Sequence, residues 1–190
     1  MLPFIASRRP DGSAVTWTGP LACLLLAAGT ITAEAWRAYL TDGYSDSLPE
    51  APATITVRAL GAGRESAECE AEAGPPEELG AFLLRRVHEA LPHGNEALRT
   101  EASVRAIDGL PEADRVAVHR YQMRAQRVQR ARLSRGIVAI DGDTLVAIDG
   151  LGLVSPLEAL DMLPADLHLL ALVEAERHMA RVGSLGTAGK

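Results

Sequence analysis

The sequence predicts an α+β fold, mostly helical, with two small β-hairpins and an additional strand. Three observations carry that expectation. Apolar residues recur at three- and four-residue spacing through several long segments, the signature of amphipathic helices. Aromatic residues make up only 4% of the chain, so the core must come from Leu, Val, Ile and Ala, which suit helix packing. Strand-like alternation is confined to short runs, most of them beside Asp-Gly turns.

Along the chain, residues 2–8 (LPFIASR) and 13–18 (SAVTWT) flank Pro10-Asp11-Gly12 and predict a first hairpin. Gly19-Pro20 interrupts it, and Pro20 suits the first turn of a helix over Leu21–Ala28 that Gly29 stops. Thr32 caps a second helix over Ala33–Leu40, where Trp36, Tyr39 and Leu40 share one apolar face and predict core packing. Turn residues, acids and prolines between residues 43 and 53 predict a linker, separating an N-terminal part (1–42) from a helical domain (54–182). That domain opens with a strand, TITVRAL, which places Ile55 and Val57 on one face.

Residues 65–78 are acidic and broken by Gly74-Pro75-Pro76. A helix is predicted from Glu77 to about Leu91, with Leu79, Phe82, Leu83, Val87 and Leu91 as its apolar stripe. A weaker helix runs to about Asp108, and Gly109-Leu110-Pro111 breaks it. The long helix from Glu112 to Gly136 follows, and then a second hairpin over 137–149, with Ile137–Ile140 and Leu145–Ile148 joined by Asp141-Gly142-Asp143. Ser155-Pro156-Leu157-Glu158 reads as a capping box with proline at the first helical position. The last helix spans Ala165 to Val182, with Leu169, Leu172, Val173 and Met179 expected inward, and 183–190 reads as a flexible tail.

Composition bounds the function. A length of 190 residues suits one domain, or one domain with a small appendage. Cys23 and Cys69 are too few for a disulfide framework and match no zinc spacing; they leave room for a single bridge, but two buried thiols are expected. Arg8 and Arg9 precede an apolar run, but about ten residues and a turn signal intervene, which opposes a secretory signal. The run is also far below the ~18 apolar residues of a membrane span. The reading is of a soluble intracellular protein without membrane attachment.

No catalytic motif stands out. His88 and His93 are five apart with Pro92 between them, whereas two ligands on one helical face need a spacing of four. Asp141, Asp143 and Asp149 lack the alternation of a calcium loop and read as turn residues. His119 has no triad-like companions, and neither glycine-rich phosphate motif is present. No cofactor and no metal are expected, and the chain is read as not an enzyme.

The single constellation is the helix Glu112–Gly136, which carries Arg115, Arg120, Arg124, Arg127, Arg130, Arg132 and Arg135 in a chain of net charge −6. Nearly all the basic residues are arginine, a bias that GC-rich coding alone would also produce. Val118, Tyr121, Ala125 and Val128 form an apolar stripe, while Arg120, Arg124, Arg127 and Arg130 lie on another side. Arginine pairs bidentately with carboxylates and phosphates and is enriched at interfaces. A solvated basic face, an external partner, and internal pairing with the acidic segment 65–78 all remain open. Arg120, Arg124, Arg127, Arg130 and Tyr121 are the candidate partner-binding residues. Mild acidity and the lack of stacking aromatics argue against a general nucleic-acid binder.

Residues 54–182 resemble the small tail assembly chaperones and related accessory proteins of tailed bacteriophages. The resemblance rests on the lead strand TITVRAL, the arginine-rich helix ending in RLSRGIVAIDG, the segment Ile137 to Gly142, and the Leu160 to Pro164 break before the last helix. The N-terminal hairpin and the Trp36 helix fall outside it. It implies a non-enzymatic factor that binds phage tail proteins during assembly or stays in the virion, in the host cytoplasm or the particle. A homo-oligomer is compatible with it. The alternative is a small arginine-rich nucleic-acid-associated protein using the same arginines on phosphates.

Overall fold

The structure is a computed structural model that describes residues 15–42, 48–60, 63–91, 96–142 and 155–187. The chain forms two compact units, one of residues 1–66 with 132–190 and one of residues 67–131. The division therefore does not fall at the expected linker, 43–53. Strand pairing joins the chain on both sides of that segment.

The first unit is built on a three-stranded antiparallel sheet in the order β1-β2-β3, comprising β1 (Thr16–Pro20), β2 (Ala53–Arg58) and β3 (Ile137–Gly142). Gly19 sits opposite Ile55 in one ladder, and Ile140 opposite Ile55 in the other. Burial along β2 alternates, so Ala53, Ile55 and Val57 face the core as the period-two pattern predicts. On the other face Thr18 and Thr56 meet hydroxyl to hydroxyl at 2.8 Å. Residues 2–8 and 145–148, the other halves of the two expected hairpins, lie outside the described residues.

Four helices cover the inner face of the sheet: α1 (Ala22–Ala27), α2 (Ala33–Asp42), α7 (Pro156–Asp161) and α8 (Ala165–Thr187). Gly29, at φ +69°, stops α1 as expected, and the amides of Gly29 and Thr30 reach back to the carbonyls of Leu26 and Leu25. Thr32 Oγ1 accepts from the Ala35 amide and caps α2. The capping box of α7 is complete, Ser155 and Glu158 each accepting from the other's amide. Trp36 and Tyr39 are buried, with Leu40 packed beside them, the face the spacing predicts.

One expectation fails on α8. Leu169 and Val173 are exposed, while Ala171, Glu174, Ala175, His178 and Val182 face inward. The two alanines let the helix lie close to the sheet, and two polar residues occupy positions that a hydrophobicity rule assigns to solvent. Helix α8 also runs on to Thr187, past the expected start of the tail.

The second unit holds α4 (Glu78–Ala90) and α5 (Glu96–Asp108), while α3 (Arg64–Glu72) and α6 (Glu112–Gly136) each contribute residues to both units. Of the stripe expected on α4, Val87 is buried, whereas Leu79 and Phe82 are exposed. Gly80 is buried instead, because α4 comes so near α6 there that a Cβ would meet the Ala117 carbonyl and the Tyr121 Cβ. The acidic segment, expected only as a charged run, begins with helix α3, which ends where Gly74 adopts φ +90°. Among the described residues the fold is thus eight helices and one small sheet, the predicted mostly helical α+β class.

Candidate functional site

Helix α6 divides its arginines between two environments. In the second unit the Arg124 guanidinium is turned inward, its side chain 13% exposed. It pairs with the Glu70 carboxylate at 2.7 Å and donates to the Gly74 carbonyl at 3.0 Å. Those oxygens close the C-terminal end of α3, where carbonyls lack helical partners and the dipole favours a cation. In the first unit Arg135 donates to the Glu65 carbonyl and Arg132 to Ser66 Oγ. Arg58 adds a two-pronged pair with Glu65, at 2.8 and 3.1 Å, and donates from Nε to the Arg135 carbonyl at 2.8 Å. Internal pairing with the acidic segment therefore describes Arg124, Arg132 and Arg135. Arg124 is withdrawn from the contact surface expected of it.

Arg120 and Arg127 remain exposed. Arg130 is exposed as well, although it has an interaction within the chain. Tyr121 is half-buried beside Gly80. Val118 and Val128 are buried as the stripe predicts, with Ala117 joining them, and Ala125 is exposed. The outward side of α6 also bears Val116 and Met123, 43% and 42% exposed. Val116, Arg120, Met123 and Arg127 follow one another at spacings of four, three and four, so they form one continuous apolar-and-basic stripe. On α4, Phe82 is exposed and the Arg86 guanidinium sits 5.8 Å from its ring centroid.

Of the other side chains weighed from sequence, His119, at α6, and His88, at the end of α4, are exposed, as is Asp141 on β3. His93, Asp143 and Asp149 lie outside the described residues. Both cysteines are buried thiols.

Sequence reasoning missed a buried polar cluster in the first unit. Glu174 and His178 are fully buried on α8. The Glu174 carboxylate accepts from the Ala22 amide at 2.7 Å, the Cys23 amide at 2.8 Å and the Trp36 indole N–H at 3.0 Å. One carboxylate thereby ties α1, α2 and α8 together. The His178 ring stacks on Trp17, centroids 4.0 Å apart, and meets Tyr39 edge-on at 5.0 Å. Arg181 lies 3.4 Å from His178 Nδ1 and donates to the Leu40 carbonyl at 2.8 Å. A guanidinium only donates, so Nδ1 takes the acceptor role in that contact. Nε2 faces Glu174 Oε1 at 3.9 Å, beyond hydrogen-bond reach. The Tyr39 hydroxyl donates to the Pro20 carbonyl at 2.8 Å.

A cysteine, a histidine and a carboxylate so close together invite comparison with a nucleophilic site. Attack needs a thiolate. Burial, and then the Glu174 charge, push the Cys23 thiol far above its ordinary 9.0 and keep it protonated. Burial and the same carboxylate also raise Tyr39 from 10.0, with Arg181 opposing. With Glu174, His178 and Cys23 fully buried, the cluster gives a substrate no access. Its work is to hold helices.

Those raised values have a consequence for alkaline stability. In the unfolded chain Cys23 ionises near 9.0 and Tyr39 near 10.0, while both stay protonated in the fold. The unfolded state then binds fewer protons, so stability falls as pH rises. Their contribution should be complete below pH 9 and decline above it, by about 1.4 kcal/mol per pH unit for each ionising group. Urea midpoints from pH 7 to 11 would measure this. Cys23→Ala should move the onset toward 10, and an unchanged onset would contradict the assignment.

Among the described residues no helix is long and apolar enough to cross a membrane. No protein-family model matches the chain, and searches of curated proteins and of solved structures found no match to it.

Proposed function

We propose that this chain is a non-enzymatic protein-interaction factor whose contact surface is the outward side of α6. The supporting observation is the exposed stripe Val116–Arg120–Met123–Arg127, where apolar side chains alternate with unburied guanidinium groups. Anchors at such spacing are how a helix engages a groove, and methionine adapts to the shape of what it meets. The partner is a protein presenting carboxylates beside an apolar strip. The resemblance of residues 54–182 to tail assembly chaperones points to tail proteins of a bacteriophage as that partner class, during assembly or in the virion.

Arg120→Ser with Arg127→Ser should leave the far-ultraviolet circular dichroism and unfolding midpoint unchanged, because both residues are exposed. Affinity for a purified tail protein encoded by a neighbouring gene should fall about 10-fold or more, since two interfacial charge-assisted contacts are lost. Arg124 is unsuitable for this test because it holds α3. Equal affinity in wild type and double variant would refute the assigned surface. A salt titration with duplex DNA checks the nucleic-acid alternative. Phosphate contacts give a steep linear loss of log affinity with log salt, whereas the proposal expects no binding at low salt.

A further inference from the structure

We infer that the outward face of α4 is a self-association surface, occupied by α4 of a second copy of this chain laid antiparallel to it. Gly80 and Val87 are the buried residues of α4, and Phe82 lies on the opposite side of the helix. Glu78, Leu79, Phe82, Arg85, Arg86 and Glu89 are all exposed and share about one third of the helix circumference. Leu79 is 55% and Phe82 52% exposed, and a spacing of three makes them neighbours on the surface. The chain has only two phenylalanines, and this one stands outward with the Arg86 guanidinium over its ring. Aromatic and arginine side chains are those that carry binding energy at interfaces.

Charge complementarity selects the occupant. Two copies of one helix face meet about a two-fold axis, and an axis perpendicular to the helix sets them antiparallel. With the axis at Phe82, the two Phe82 rings meet at the centre. Leu79, three residues before the axis, then lies against the aliphatic stem of Arg85, three residues after it, in the second copy. Glu78, four residues before, meets Arg86, four residues after. The two-fold repeats that match, so a Glu–Arg pair closes each end of the contact. A parallel pairing would set Glu78 on Glu78 and Arg86 on Arg86, which repels. Glu89, seven residues after the axis, reaches beyond the start of the other α4 and opposes no charge on it. A helix of 13 residues is about 20 Å long, so the contact falls below about 1,200 Å² and the dimer is a weak one. This face is separate from the α6 stripe and does not depend on the interaction proposed there.

Sedimentation equilibrium of the full chain from about 10 μM to about 1 mM tests the surface. The weight-average mass should rise with concentration from 20.1 kDa toward twice that value. Phe82→Ala should weaken the dimer about 10-fold or more. Glu78→Arg and Arg86→Glu, made singly, each set like charges together at both ends of the contact and should weaken it by about the same factor. Made in one chain, the two changes restore opposite charges, so the swapped protein should dimerise about 10-fold more tightly than either single variant. All these side chains are exposed, so far-ultraviolet circular dichroism should match wild type throughout. Arg120→Ser with Arg127→Ser should dimerise as wild type does, which separates a failure here from a failure of the α6 reading. A chain that stays monomeric across the range, a dimer indifferent to Phe82→Ala, or a swapped protein no tighter than the single variants would overturn the proposal.

Discussion

Glu174→Ala should destabilise the first unit by about 3–5 kcal/mol, a large share of the roughly 5–15 kcal/mol that holds a domain folded. The reason lies in what remains behind. The amides of Ala22 and Cys23 and the Trp36 indole all donate to this carboxylate in a region closed to water. Removing it leaves three buried donors without an acceptor, each a penalty of about 1–3 kcal/mol before relaxation. Glu174→Gln keeps the shape but puts an NH2 group against donors, so it should rescue only part of the loss. Asp166→Ala, exposed on the same helix, should change stability by no more than about 0.5 kcal/mol. Urea unfolding followed by tryptophan fluorescence compares the three variants. A loss below 1 kcal/mol for Glu174→Ala would show that the carboxylate is not the tie between α1, α2 and α8.

Gly80→Ala is the second change with a large expected effect. In an exposed helix this substitution would stabilise by about 1 kcal/mol through backbone entropy. Here the new methyl meets the Ala117 carbonyl and the Tyr121 Cβ, and neither is a flexible chain end. Helices α4 and α6 must separate, at a cost of about 1–3 kcal/mol beyond the propensity gain. Gly136→Ala is the matched control. The three atoms nearest its Cβ all belong to the Met179 side chain, which can swing aside, so the result should be near neutral. Denaturant midpoints of the two variants should therefore move apart. A Gly80→Ala protein as stable as wild type would mean that the helices do not approach closely there.

Local signals were the legible ones. The Ser155–Glu158 box, Thr32, Gly29 and the Gly136 stop are chemistry between neighbours, and each lies where the residues predict. The alternation of β2 was legible for the same reason. Which helix face turns inward was less so. On α8 the rule that apolar residues go inside chose Leu169 and Val173, which are exposed. Glu174 can be buried because its partners are the amides of α1, more than 150 residues away, and no local pattern encodes that. A signal was nevertheless present. Ala171, Ala175, His178 and Val182 recur at spacings of four, three and four, and small residues at such positions mark a close-packed face. The arginines of α6 were legible as a constellation, but their division was not. Arg124 is distinguished from Arg120 and Arg127 only by the position of the α3 C-terminus, a tertiary fact.

The first unit is discontinuous in sequence, with residues 67–131 set between its two parts. That order governs what a ribosome releases and when. Strand β2 appears with its β3 edge unfilled, and α1 appears with amides whose acceptor lies 152 positions downstream. At about 5–20 residues per second the wait for Glu174 is roughly 8–30 s. Residues 67–131 are completed within that interval. A later-made part of the first unit is therefore what closes its earlier part, and a nascent chain stalled short of β3 would present an open strand edge and bare helix amides to its surroundings.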